Sequence, residues 1–252
     1  MIPYFQFISF QVGPLTLYVW GFFVAAGIVL GLLVSARNAR RFGLDPEAVA
    51  EAGFWTAVFG FLGGRLGHIV FYNAADYLRD PLEIFRVWRG GFSSLGGFLA
   101  GAIFFAVYRA RKRISMLGLA DALSFGFLFA WALGRVGCFL IHDHPGRPWN
   151  GFLSVNYPDT PRWDLGLIEM LTALVLIPGA ILAARHLKKP GLLTAAVWLP
   201  YLTIRFFTDF LRAVDLPGSD ARFFGLTPMQ IAAPVFIAII VFIAGRGRNV
   251  NA

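Results

Sequence analysis

The chain has 252 residues, of which 58% are hydrophobic and 14% charged, with a net charge of +8. A soluble domain carries about 25% charged residues, so this composition, with a mean hydropathy of +0.66, points to a chain that buries most of its surface in lipid or against other helices. The single cysteine, Cys138, excludes an internal disulfide and a multi-cysteine metal cluster, and no nucleic-acid partner is expected because the basic residues sit at the ends of apolar runs.

The first apolar run, Leu15 to Ser35, is too long for a cleavable leader and no basic region precedes it. Further runs follow at Ala52 to Tyr72, Phe92 to Arg109, Leu119 to Ile141, Leu165 to Ala184, Leu192 to Leu211 and Pro228 to Ala244. A hydrocarbon core about 30 Å thick calls for runs of this length. The expected fold is an all-α integral membrane protein of about seven transmembrane helices, one polytopic domain over residues 1–252 without internal repeats.

The connections differ in charge. Arg37, Arg40, Arg41, Arg109, Arg111, Lys112, Arg113, Arg185, Lys188, Lys189, Arg246 and Arg248 all follow odd-numbered spans, and they make up 12 of the 22 basic residues. The positive-inside rule then puts the N-terminus outside and the C-terminus in the cytoplasm. The outward connections Asn73 to Gly91 and His142 to Asp164 are long and rich in Trp, Tyr, Pro and Asp, which suggests a small extracytoplasmic cap. Trp88, Trp149, Tyr157 and Trp163 suit a membrane-interface belt.

Three arginines, Arg65, Arg135 and Arg205, fall within predicted spans, where each costs roughly 2.5 to 3.5 kcal/mol unless paired or hydrated. Arg205 and Asp209 share a helix face at i,i+4 spacing. Gly63, Gly64, Gly67, Gly134 and Gly137 allow a neighbouring helix or a headgroup to approach the backbone beside the first two arginines. Guanidinium groups bind phosphate through two parallel hydrogen bonds, so an arginine pocket open to lipid fits a phospholipid headgroup. Glycine packing with snorkelling arginines explains the same residues without a ligand.

Beyond the fourth span the chain reads His142-Asp143-His144-Pro145-Gly146. An imidazole accepts a proton near neutral pH and an adjacent carboxylate orients it, so His142 and His144 are candidate bases with Asp143 as orienting group. No metal is expected, because the side chains of adjacent residues splay and only Asp159, Asp164 and Glu169 lie nearby to complete a site. Cys138 reads as a small core residue, although Arg135 three positions earlier is placed to favour its thiolate.

The run Gly134-Arg135-Val136-Gly137 through Gly146 resembles the signature of the phosphatidylglycerol–prolipoprotein diacylglyceryl transferases. Gly63-Gly64-Arg65-Leu66-Gly67 with Phe71-Tyr72, the turn from Gly90-Gly91-Phe92-Ser93 to Gly96-Gly97, Tyr201 to Arg212, and Gly225-Leu226-Thr227-Pro228-Met229-Gln230 resemble that family's other blocks in the same order. The resemblance implies a bacterial inner-membrane enzyme that needs no cofactor. Its implied reaction moves diacylglycerol from phosphatidylglycerol to the lipobox cysteine in the signal peptide of a prolipoprotein, forming a thioether and releasing glycerol phosphate. It implies Arg135 as the essential arginine and Gly146 as the closing glycine of the signature, with Tyr201, Arg205 and Asp209 at the tyrosine, arginine and acidic positions of a later span. Arg135, His142, Asp143, His144 and Arg205 are thus the catalytic candidates, and Arg65, Gly146, Tyr201 and Asp209 the substrate-binding ones. The chain departs from the family at Leu95, where a histidine is expected, at Cys138 and Ile141 for two asparagines, at Asp143 for a glutamate and at Trp20 for a tyrosine. Two other readings stay open: transfer of a lipid group to a different acceptor, and a nonenzymatic phospholipid-binding protein.

Overall fold

A computed structural model of the chain describes residues 1–71, 74–87, 90–217, 219 and 222–246; Tyr72, Asn73, Trp88, Arg89 and Arg248 lie outside them. The described residues are mostly helical. The long helices are α1 (Val19–Asn38), α2 (Pro46–Phe71), α4 (Ser94–Lys112), α5 (Met116–Ile141), α6 (Leu165–His186), α7 (Leu192–Thr208) and α8 (Pro228–Arg246), with a short α3 (Ala74–Arg79) after α2. Each long helix stands at a run predicted from the sequence. Among the described residues, five of them (α1, α2, α5, α6 and α8) are long and apolar enough to cross a membrane. The other two are less apolar or shorter: α4 ends in Arg109, Arg111 and Lys112, and α7 has 17 residues.

The expectation of an all-α chain is corrected by six short strands among the described residues. β1 (Ile2–Pro3), β5 (Ser154–Asn156), β6 (Pro161–Asp164) and β4 (Pro145–Pro148) form one sheet in the order β1-β5-β6-β4, with β1 parallel to β5 and the other pairs antiparallel. β2 (Ser9–Val12) and β3 (Leu15–Tyr18) make a hairpin whose turn contains Gly13 at φ 59°. Hydropathy counts Leu15 to Tyr18 as helix, whereas the alternation Leu-Thr-Leu-Tyr beside a Gly-Pro turn favours a strand.

Close packing explains the glycines. α1 lies on α5 so closely that a Cβ on Gly27 would sit 2.6 Å from the Ala130 carbonyl oxygen, and one on Gly126 2.2 Å from that of Gly31. α2 meets α4 through Gly63 and Gly96 in the same manner, as small residues permit between helices in lipid. Capping is explicit elsewhere: the buried Asp121 accepts from Gly191 N, Thr194 N and Thr194 Oγ1 at 2.7 Å each, tying the start of α7 to α5.

Candidate functional site

The site is built around the end of α5. Two of the last carbonyls of that helix are satisfied by the N-terminal segment, Phe7 N to Leu140 O at 2.9 Å and Gln6 Nε2 to Ile141 O at 2.9 Å. His142 then adopts φ 52°, the left-handed conformation that ends helices and turns the chain sharply. The turn sends neighbouring side chains to different places.

The His142 ring goes inward and is fully buried. Its Nδ1 lies 2.6 Å from Asp164 Oδ2, which also accepts from the Tyr157 hydroxyl at 2.7 Å, and Asp164 Oδ1 caps α6 through Leu167 N at 2.7 Å. Burial, then the Asp164 carboxylate, push the Tyr157 hydroxyl far above its ordinary value, so it remains a donor. Tyr4, Phe5, Phe139 and Tyr157 surround the imidazole at centroid distances of 4.8 to 5.5 Å. Its Nε2 is buried without a hydrogen-bond partner among the described residues. The expectation that Asp143 orients His142 is therefore corrected: the orienting carboxylate is Asp164, 22 positions along the chain.

Asp143 and His144 turn the other way, back to the last turn of α5. Nδ1 of His144 is 3.0 Å from the Asp143 carbonyl oxygen, so it donates there and its other nitrogen keeps the lone pair. Cys138, Asp143 and His144 each present one donor atom within 4.8 Å of the others, and Arg135 Nη1 is 3.6 Å from Cys138 Sγ. This grouping adds Cys138 to the residues the sequence had weighed for a metal. The Asp143 and His144 side chains are about a third accessible, in a partly open recess beside Arg135. Burial pushes the Asp143 carboxyl up to about 6, with Arg135 opposing. Burial, followed by Arg135, Arg212 and Arg205, holds His144 well below the ordinary imidazole value, which keeps it neutral at physiological pH.

Beside this recess lies a network of arginines and carboxylates. Arg135 Nε is 2.8 Å from Glu169 Oε2 on α6; Arg205 bonds the other oxygen of Glu169, and Arg212 Nη2 stands 3.9 Å from it. Asp209 accepts from Arg212 Nε at 2.7 Å and Thr227 Oγ1 at 2.7 Å, with Arg205 Nη2 at 3.4 Å. Three guanidinium groups and two buried carboxylates thus meet at this centre. Arg135 has the most accessible side chain of the three, at 17%. Glu169 and Arg212 were not singled out by sequence reasoning as members of this centre. The available signal was a glutamate inside an apolar helix, which requires a cationic partner, and an arginine one turn past Asp209.

Tyr201 is buried and packs edge-on against Trp131 at 4.6 Å; with Glu169, Thr172, Arg205 and Thr208 it lines a narrow crevice beside the network. Gly146 lies in β4 and bridges to Arg212. A Cβ there would sit 2.6 Å from Trp163 Cβ and 2.7 Å from Leu211 O, so only glycine lets the sheet rest on the segment that holds Arg212.

Arg65 has a different setting. Its Nε donates to Ile84 O at 3.1 Å and its terminal nitrogens donate to the carbonyls of Glu83, Gly90 and Gly91. Its guanidinium also lies 5.1 Å from the Tyr77 ring and 5.8 Å from that of Phe92. The expectation that Arg65 offers its bidentate face to a headgroup is corrected, since the carbonyls of Glu83, Ile84, Gly90 and Gly91 occupy its donors. Leu95, at the expected histidine position, lines an apolar groove with Leu99, Pro228 and Val235.

Residues 7–247 match the family described as Prolipoprotein diacylglyceryl transferase. The chain is 29% identical to the phosphatidylglycerol–prolipoprotein diacylglyceryl transferase of Staphylococcus xylosus over 97% of its own length and 91% of the relative's. Against the proteins of the same name it is 29% identical for Methylocella silvestris, over 98% and 96% of the two chains, and 26% for Janthinobacterium sp., over 94% and 93%. With both the ordered blocks and the whole length accounted for, the chain belongs to the prolipoprotein diacylglyceryl transferase family.

Proposed function

We propose that this protein transfers diacylglycerol from phosphatidylglycerol to the lipobox cysteine of a prolipoprotein. The observation that carries this reading is the convergence of Arg135, Arg205 and Arg212 on Glu169 and Asp209 beside the Asp143–His144 recess. The guanidinium groups, of which Arg135 is the most accessible, suit an anionic phosphodiester, and they stabilise the charge that grows on the departing phosphate. Arg135 and Arg205 hold the phosphate. Asp209 holds Arg205 and Arg212 in place, Tyr201 lines the space beside Arg205, and Gly146 lets the sheet rest on the segment that carries Arg212.

The acceptor thiol must lose its proton beside that phosphate. Asp143 and His144 are assigned to that step, because they adjoin Arg135 while Leu95 offers no base. His142, a catalytic candidate from its position in the sequence, is assigned to fixing the turn, and Arg65 to fixing the backbone at Glu83, Ile84, Gly90 and Gly91.

The chain acts as one membrane domain in the bacterial inner membrane, with seven spans, the N-terminus outside and the C-terminus in the cytoplasm. Support comes from seven long helices at seven apolar runs and from the basic residues that follow alternate runs. The β4–β6 sheet then forms the extracytoplasmic cap, the recess opens near the outer boundary, and the phospholipid enters sideways from the bilayer.

The test is release of glycerol phosphate from phosphatidylglycerol by purified protein in detergent, with and without a lipobox peptide. Peptide-dependent release that disappears in Arg135→Ala supports the assignment. Intact lipid binding without release on any lipobox peptide overturns it.

A further inference from the structure

Three of the five positions at which this chain departs from the family pattern, Trp20, Cys138 and Asp143, meet in space. The contact originates in the packing of α1 on α5. Gly137 has no side chain, and a Cβ there would sit 3.4 Å from Trp20 Cα and 2.9 Å from Phe23 Cβ, so the first turn of α1 rests directly on the end of α5. That places the Trp20 indole against the buried Cys138, to which it donates a hydrogen bond. From the other side, the left-handed turn at His142 brings Asp143 back until its carboxylate lies within 4.8 Å of the Cys138 sulfur. We infer that Trp20 and Cys138 are positioning residues: Trp20 turns the thiol so that its proton is donated to Asp143, and this bond holds the carboxylate ionised and aimed at the acceptor thiol. The inference deepens the proposed transfer and rests on it for the role of Asp143.

Donor counting fixes the direction of the chain of bonds. An indole N–H and a guanidinium can only donate, and both Trp20 and Arg135, the latter with Nη1 at 3.6 Å, bond the sulfur. The sulfur therefore accepts from both, and its one proton is left for an acceptor. Among the described residues Asp143 supplies it, since its carboxylate accepts from the Cys138 thiol. A thiolate there would set a second anion beside that carboxylate, which like-charge repulsion disfavours.

The arrangement leaves the chemistry its lone pairs. A carboxylate has two oxygens with about four acceptor sites, and the thiol takes one of them. The charged and titratable groups around Asp143 are Arg135 from α5, Asp164 from β6 and the neutral His144 beside it, with Arg205 of α7 and Arg212 facing His144. Burial pushes the Asp143 carboxyl up to about 6, and Arg135 and then the thiol hold it from rising further. A donor to the ionised form keeps a base charged in a place where burial would otherwise neutralise it.

The experiment uses full-length protein in detergent. Cys138 is the only cysteine, so the protein has one S–H stretching band in the infrared, assigned by its loss in Cys138→Ser. Donation to a carboxylate lowers the frequency of such a band. The band should move to higher frequency as pH falls through about 6 and Asp143 takes up a proton, and in Asp143→Ala it should stay at the higher frequency at every pH. Trp20→Phe, which keeps a ring and removes the N–H, should weaken the response, because the thiol proton is then free to turn away.

The pH dependence of glycerol phosphate release gives the second readout, with thermal unfolding reporting that each variant is folded. The rate falls on the acidic side as Asp143 is protonated, and loss of a donor to its ionised form moves that limb upward. The shift should be about half a pH unit in Cys138→Ala, the worth of a weak thiol hydrogen bond, and Cys138→Ser, whose hydroxyl also donates, should return the limb toward the parent. A side chain that only fills space would not move it. An S–H band indifferent to pH and to Asp143→Ala overturns the inference, as does an acidic limb unmoved in Cys138→Ala. A responsive band in a parent that releases no glycerol phosphate with any lipobox peptide supports the contact and counts against the transferase.

Discussion

His142 and His144 are two residues apart, yet they occupy opposite environments. The first is enclosed by aromatic rings and paired with Asp164; the second lines an open recess beside Arg135, next to Asp143 and Cys138. The difference originates in one backbone conformation, the left-handed turn at His142. It teaches that a reactive-looking tripeptide contains two devices: one fastens the cap to the helix ends, and the other faces the chemistry. Arg65 and Arg135 repeat the lesson, since backbone carbonyls engage one while the Glu169 carboxylate holds the other in a cluster of arginines.

The comparison can be broken at several points. The largest effect is expected in Arg135→Ala, which should lower the rate of glycerol phosphate release about 10³-fold, by analogy with the removal of a group that stabilises transition-state charge, with little loss of folded protein. His144→Ala should cost about 10²-fold in rate, the usual worth of a positioned acid–base group, and leave thermal stability near the parent. His142→Ala should do the reverse. Removing one partner of a buried pair costs about 3 to 5 kcal/mol, so the melting temperature in detergent should drop while the surviving folded protein keeps its specific rate. If both histidine variants lose rate at unchanged stability, the division between the two corners is wrong.

Smaller effects test the supports. Gly146→Ala forces a methyl into contact with Trp163 and Leu211, and overpacking of that kind costs about 1 to 3 kcal/mol; thermal unfolding measures it. The smallest effect concerns the cap surface. Arg162 bonds both Asp159 and Asp215 and holds each carboxyl below its usual value. A depressed folded-state value gives stability that is present above the ordinary carboxylate range and lost as pH falls through the folded value. An acid titration of unfolding should therefore show Arg162→Ala closest to the parent at low pH and slightly less stable near neutrality.

Much of the site could be read along the chain because its members are costly where they stand. An arginine or a glutamate in an apolar helix must have a partner, and glycines beside it mark a close approach. Pairing was harder to read. Arg205 and Asp209 share a helix face, but Arg205 also bonds Glu169, 36 positions away, and no local spacing encodes that contact. The strand at Leu15 was missed because apolar content outweighed alternation in a short segment next to a span.

The sequence by itself determined the class of the molecule, the seven apolar runs and the presence of arginines that demand partners, since these depend on composition and run length against a bilayer of fixed thickness. Only the tertiary structure decided which carboxylate serves which cation, which histidine is sealed and which is open, and that Cys138 joins Asp143 and His144. Those outcomes depend on the direction of one left-handed turn and on contacts between helices far apart in the chain, where burial sets the energy of every charge.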